Sequence, residues 1–233
     1  MRSDNGKGEE RCSNRSEGIW EGKTAIQSSF FVYLIKSNGM INDINSLDLS
    51  KRYSYADYLT WKLDEYVELI RGKVFKMSPA PSSLHQLISS RLLRYFLPVT
   101  DHGSCEVFHA PFDVRLFPSQ DDSENDTVVQ PDICVVCDPE KIDARGCVGA
   151  PDLIVEIISP SSSKRDVQDK YELYQEAGVP EYWIVIPEVN LVEVFHLKDG
   201  KYDLKKQYSA NDQLTPMVFP QLSIDLGRVF RKG

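Results

Sequence analysis

From residue 40 onward apolar residues recur at two distinct periods, and before it at neither. Residues 65–70 and 73–77 flank Arg71 and Gly72, which predicts a β-hairpin with Gly72 supplying the turn. Leu84, Leu87, Ile88, Leu92 and Tyr95 return at helical spacing, so a helix is expected from a cap at Ser82 or Ser83 to Leu97, closed by Pro98. A second helix is expected over residues 164–177, where Val167, Tyr171 and Tyr174 share one face and Gly178 is the stop. Ser54, with Asp57 three positions on, caps a short helix over residues 55–63. Short apolar runs at 106–109, 112–117, 133–137, 153–158, 182–186 and 191–197 read as strands, followed by a β-rich tail. Pro79 and Pro81 mark a loop, and no internal repeat is present. This order of strands and helices predicts an α/β or α+β fold, a mixed central β-sheet flanked by helices, with an N-terminal hairpin and a β-rich C-terminal part.

Residues 1–39 are rich in Ser, Gly, Asn and mixed charge. They read as a disordered extension, or as a stretch translated upstream of a start at Met40, although Phe30 to Ile35 could form an extra strand. Residues 40–233 then make up one domain. That six-residue run is the longest apolar candidate and falls far short of the roughly 20 residues a membrane helix requires, so a cytoplasmic protein without a membrane partner is expected. Across all 233 residues, 27 Lys and Arg face 35 Asp and Glu, a formal net charge of -8. This excludes a generic nucleic-acid coat or membrane-surface binder, whose affinity rests on clustered positive charge. An enzyme touching nucleic acid through a local basic strip is still compatible, and Lys164 and Arg165 in the first turn of their helix suit phosphate contact. The five cysteines form no regular framework. Cys134 and Cys137 have C-x-x-C spacing, but on a strand positions three apart point to opposite faces. They are therefore expected to be small buried hydrophobes in a reducing compartment.

Charges stand where core strands should carry none. Glu156 interrupts the run Leu153-Ile154-Val155-Glu156-Ile157-Ile158, whose composition suits a strand buried on both faces. A carboxylate there must be paired, bound to a cation, or at a strand end reaching solvent. Asp132 follows Pro131 and opens the run from Ile133; alone it is an ordinary turn residue, but two carboxylates at the ends of adjacent strands can supply oxygen ligands to Mg²⁺. Lys170 falls within the apolar stripe of its helix, between Val167 and Tyr174, where a lysine either snorkels or pairs with a carboxylate. Glu68 repeats the theme on the first hairpin, unless it lies on the wet face of an edge strand. His85 lies near the edge of its helix's stripe and reads as a satisfied or half-exposed histidine.

These runs resemble one family. Tyr66-Val67-Glu68-Leu69-Ile70-Arg71-Gly72-Lys73-Val74, Met77-Ser78-Pro79 with His85-Gln86, Gln130-Pro131-Asp132-Ile133, and Gly149-Ala150-Pro151-Asp152 running into Leu153-Ile154-Val155-Glu156-Ile157-Ile158 are similar to the Uma-two family. So are Asp169-Lys170-Tyr171-Glu172-Leu173-Tyr174 and Ala177-Gly178-Val179-Pro180-Glu181-Tyr182-Trp183. That family is grouped with the restriction endonucleases of the PD-(D/E)xK superfamily. The resemblance implies a restriction-endonuclease-like fold and a Mg²⁺-dependent endonuclease, with Mn²⁺ as a substitute and DNA as substrate. By the superfamily pattern Asp132 and Glu156 would hold the metal. The lysine expected two residues after Glu156 is replaced by Ile158, so Lys170 from the following helix takes that role, with Glu68 as helper acid. Asp152 is then a turn or accessory residue, and His85 a further accessory.

Carboxylates holding Mg²⁺ would lower the pKa of a water and clamp the attacking and leaving oxygens of a phosphodiester. Lys170, between carboxylates, should stay protonated and stabilise charge, and is no free base. A homodimer would match the two antiparallel strands of a duplex. Two other classes remain open: a nuclease-fold binding or assembly module, favoured by Ile158 and the acidic balance, and a hydrolase of smaller phosphate esters.

Overall fold

The structure, a computed structural model, describes residues 41–77, 81–101, 103–159 and 164–231, with the side chains of 164–166 left out. The expectations for residues 1–39, for Pro79, and for the side chains of Lys164 and Arg165 lie outside the described residues.

A short helix α1 (Tyr55–Tyr58) leads into the hairpin of β1 (Val67–Ile70) and β2 (Lys73–Lys76). Helix α2 (Ser83–Thr100) is followed by β3 (Glu106–His109), β4 (Val114–Arg115), β5 (Val128–Val129) and β6 (Ile133–Val136). Next come β7 (Ile142–Asp143), β8 (Gly146–Val148), β9 (Leu153–Ile157), helix α3 (Lys164–Ala177) and β10 (Glu181–Ile186). The long hairpin of β11 (Leu191–Lys198) and β12 (Lys201–Ser209), the pair β13 (Gln213–Leu214) and β14 (Ile224–Asp225), and α4 (Leu226–Phe230) follow among the described residues.

The mixed central sheet has the order β12-β11-β10-β9-β6-β3, with β9 and β10 parallel and the other pairs antiparallel. A second sheet, β2-β1-β5-β4-β8-β7, extends the first hairpin. Side-chain alternation along β6, β9 and β10 builds a core on each face of the central sheet. On one face Ile133, Val135, Leu153, Val155, Ile157 and Trp183 meet Ile88, Leu92 and Phe96 of α2 and the residues of α4. On the other, Cys134, Val136, Ile154, Tyr182 and Ile184 meet Leu173 and Tyr174 of α3 and Val114, Leu116 and Val129 of the second sheet. Each large side chain so buried contributes about 1.5–3 kcal/mol, which is why β9, covered on both faces, can hold a polar residue in place.

The hairpin turns through Arg71 and Gly72 at φ 51° and 76°, the two positive values that a tight two-residue hairpin turn requires. A side chain at Gly72 would also approach Arg52 Cβ to 2.9 Å.

Several expectations need correction. The helix foreseen over residues 55–63 ends at Tyr58. Its capping box of Ser54 and Asp57 is present, but the Asp57 carbonyl is taken by the Thr60 hydroxyl and amide, which closes a turn instead of continuing. Pro98 does not close the second helix; α2 runs on to Thr100. Proline removes one amide donor, while Phe96 and Thr100 remain buried and Asp101 N donates to the Leu97 carbonyl, so the last turn survives. The strand foreseen over 112–117 shrinks to Val114–Arg115. Cys137 is no plain buried hydrophobe: the register Glu106↔Val136 puts it beside Cys105, with which it forms a disulfide. Cys134 and Cys147 are free and buried.

Candidate active site

The β6–β9 register pairs Ile133 with Val155, so one step further Asp132, just before β6, comes opposite Glu156, whose side chain lies on the face covered by α3. The Asp132 carboxylate is fixed at both oxygens: Ile157 N donates to Oδ2 at 2.7 Å, and His85 Nε2 lies 3.1 Å from Oδ1. Helix α2 brings His85 there with Ser82 as its N-cap.

Glu156 faces α3. Lys170 Nζ donates to its Oε1 at 3.0 Å and the Tyr174 hydroxyl to the same oxygen at 2.6 Å. The spacing of four places both donors over one strand. The Lys170 ammonium also donates to Glu68 Oε1 at 2.9 Å, and that oxygen accepts the Gln130 amide at 2.9 Å. Glu68 therefore belongs to the interior, 6% exposed, and is not on a wet face. Lys170 pairs with two carboxylates and does not snorkel. Asp152 stands at the opposite end of β9, where its Oδ2 accepts Cys137 N at 2.7 Å; that is a turn role, away from the cluster.

The electrostatics follow from burial. Desolvation pulls the Lys170 ammonium down, but the charges of Glu156 and Glu68 and the hydrogen bonds to both outweigh it and hold the pKa above its ordinary value. Burial pushes Glu156 up, assisted by Asp132 and Glu68, against the opposing pull of Lys170 and the Tyr174 hydroxyl. The hydrogen bond to Asp132 raises the His85 imidazole despite partial burial. Burial and the Glu156 charge drive the Tyr174 phenol well above its usual range, so it acts as a donor.

The cluster sets three carboxyl groups, Asp132, Glu68 and Glu156, beside a single ammonium, that of Lys170, with His85 against Asp132. Carboxylate oxygens are hard donors of the kind Mg²⁺ and Mn²⁺ take. Among the described residues no three His, Cys, Asp or Glu side chains converge to encage an ion. Mg²⁺ commonly takes one or two carboxylates and keeps several waters, so a pair such as Asp132 and Glu156 would be enough to hold it.

Three participants were not legible as such in the sequence. Tyr174 counted only as part of an apolar stripe, yet its spacing from Lys170 was the available signal. Gln130 figured only beside Asp132. Asp113, which accepts from Gln130 Nε2 at 2.8 Å and from the Tyr58 hydroxyl at 3.2 Å, gave no signal at all.

The fold is that of a nuclease class. A family model, Uma2, described as "Putative restriction endonuclease", matches residues 55–227. The chain belongs to that family. A crystal structure of a putative nuclease belonging to DUF820 from Anabaena variabilis superposes with a TM-score of 0.59 at 21% identity, over 76% of this chain and 97% of that one. The Synechocystis protein slr1290, described as uncharacterized, is 26% identical over 166 residues, 70% of this chain and 84% of its own. No helix among the described residues is long and apolar enough to cross a membrane.

Proposed function

We propose that this protein is a Mg²⁺-dependent endonuclease that hydrolyses DNA phosphodiester bonds, with Asp132 and Glu156 holding the metal, Lys170 assisting and Glu68 anchoring Lys170. The observation that carries the reading is the Lys170 ammonium, delivered by α3 to within 3.0 Å of Glu156, while Ile158 packs against the α3-side core. An ammonium beside a metal-binding carboxylate is what the chemistry needs, and here a helix supplies it in place of the strand.

When bound, Mg²⁺ supplies acidification of a water and neutralisation of charge on the phosphoryl oxygens. The chain's own groups do the rest. Lys170 stays protonated and donates to a non-bridging oxygen as charge builds there in the transition state. Glu68 and Glu156 hold that ammonium from two strands, so it costs little reorganisation. His85 and Ile157 N fix the Asp132 carboxylate, and Tyr174 fixes Glu156. DNA as substrate comes from the family, while a cytoplasmic place of action is carried over from the sequence, whose longest apolar run is six residues. A homodimer would present two such sites to the two strands of a duplex. Mn²⁺ should replace Mg²⁺.

The rival reading, a nuclease-fold binding or assembly module, draws on Ile158 at the superfamily's lysine position and on the formal net charge of -8. The test is incubation of the purified protein with supercoiled and linear DNA and Mg²⁺ or Mn²⁺, beside Asp132→Asn and Lys170→Gln variants. Metal-dependent nicking lost in both variants is expected. Cleavage by Lys170→Gln at the wild-type rate would remove the lysine from the mechanism. A folded wild type that does not cut above the Asp132→Asn background would leave the binding module.

A further inference from the structure

Behind Glu68 lies a buried polar network that the metal-and-lysine account does not use. Gln130 is 6% exposed. Its backbone amide donates to Glu68 Oε1 at 2.9 Å, while its side-chain Nε2 donates to Asp113 Oδ1 at 2.8 Å and to the Tyr58 hydroxyl at 3.2 Å. The Tyr58 hydroxyl in turn donates to Asp113 Oδ1 at 3.2 Å. Gln130 Oε1 is buried without a partner. A polar side chain kept in the interior with one end unsatisfied costs stability, and packing alone gives no reason to keep it.

The chain explains what it does. Val129 pairs with Val114, so the next pair sets Gln130 opposite Asp113 in the second sheet. Two residues beyond Gln130 is Asp132, and Pro131 between them fixes the backbone. One side-chain anchor therefore locates two things: the amide that holds Glu68, and the start of β6 that carries Asp132.

We propose that Gln130 is a positioning residue of this site, its side chain clamped by Asp113 and Tyr58 so that its amide sets Glu68, and through Glu68 the Lys170 ammonium, while its backbone sets Asp132. The inference rests on the nuclease reading only for its effect on rate. The placement of Lys170 is readable without cleavage. A Gln130→Met variant keeps the backbone amide and the side-chain length, and loses only the clamp.

The experiment follows the ¹⁵N-labelled ammonium of Lys170 by NMR and measures its hydrogen exchange with water in wild type, Gln130→Met and the milder Asp113→Asn. Val128→Ala serves as a control for lost packing alone, because Val128 is buried with Leu69 and Tyr55 in the cluster Tyr58 packs against and its aliphatic side chain makes none of the network's hydrogen bonds. Exchange faster by about threefold or more in Gln130→Met, as expected for contacting residues in one network, with wild-type exchange in Val128→Ala, is the expected result. Should Gln130→Met fail to fold, Asp113→Asn carries the same comparison. Unchanged exchange, or an equal change in Val128→Ala, overturns the inference. Where the wild type cuts DNA, a second readout follows: Gln130→Met lowers kcat with KM for DNA unchanged, and its effect is smaller in a Glu68→Gln background. Additive losses would overturn the path through Glu68. A wild type that does not cut contradicts the nuclease reading alone, and the exchange data still decide the positioning.

Discussion

Replacing Lys170 with methionine keeps the length of the side chain and deletes its charge. Glu68 and Glu156 are 6% and 8% exposed, and each leans on the same ammonium at 2.9 and 3.0 Å. Their loss of that partner leaves two facing carboxylates away from water. Removing one member of a buried ion pair costs about 3–5 kcal/mol, a large share of a total stability of about 5–15 kcal/mol. The ion pair of Arg71 and Glu176 is the contrast: its side chains are 55% and 53% exposed, and Arg71→Ala should cost no more than about 1 kcal/mol. Urea unfolding followed by tryptophan fluorescence, in EDTA at pH 8, measures both, and Trp183 in the core is the reporter. The double variant Glu68→Gln, Lys170→Met removes the facing charge as well and should recover about 1–3 kcal/mol of the loss. A loss below about 1 kcal/mol in Lys170→Met, or a double variant whose loss is the sum of the two single ones, would refute the idea that this ammonium neutralises both carboxylates.

Two further outcomes are expected. The Cys105–Cys137 bond spans 32 residues, a loop whose closure is worth about 3–4 kcal/mol in chain-entropy terms. Dithiothreitol or a Cys105→Ser, Cys137→Ser variant should lower the unfolding free energy by up to that amount, and no change on reduction would mean the bond is absent in solution. Glu181 is wholly buried, accepting from Trp183 Nε1 and Met217 N, and burial raises its carboxyl above the ordinary value despite those donors and the nearby His196. The folded state then holds that proton more tightly than the unfolded chain, so this contribution is fully present below the unfolded value and is lost as pH rises from about 4 through the raised one. A Glu181→Gln variant should show a shallower fall of stability with pH than wild type across that range; a parallel profile would contradict the assignment.

Much of this site could be read from residue order because its residues break local rules. A carboxylate in the β-branched run of β9 and a lysine in the apolar stripe of α3 each demanded a partner, and the two demands proved mutual. The hairpin at Arg71-Gly72 and the stop at Gly178 were equally plain, since each needs a positive φ. What stayed hidden depends on register between distant segments. Cys105 meets Cys137 only because β3 aligns with β6, and Asp113 meets Gln130 only because β4 aligns with β5. Pro98 misled for a different reason: its own rule is local, but the burial of Phe96 and Thr100 on either side overrides it.

Anomalous diffraction from a crystal soaked in Mn²⁺ tests most directly whether Asp132 and Glu156 form a metal site. A peak within coordination distance of both carboxylates, lost in Asp132→Asn, is the predicted result. Cleavage-active protein with its Mn²⁺ bound elsewhere, or no Mn²⁺ at this pair, would contradict the account.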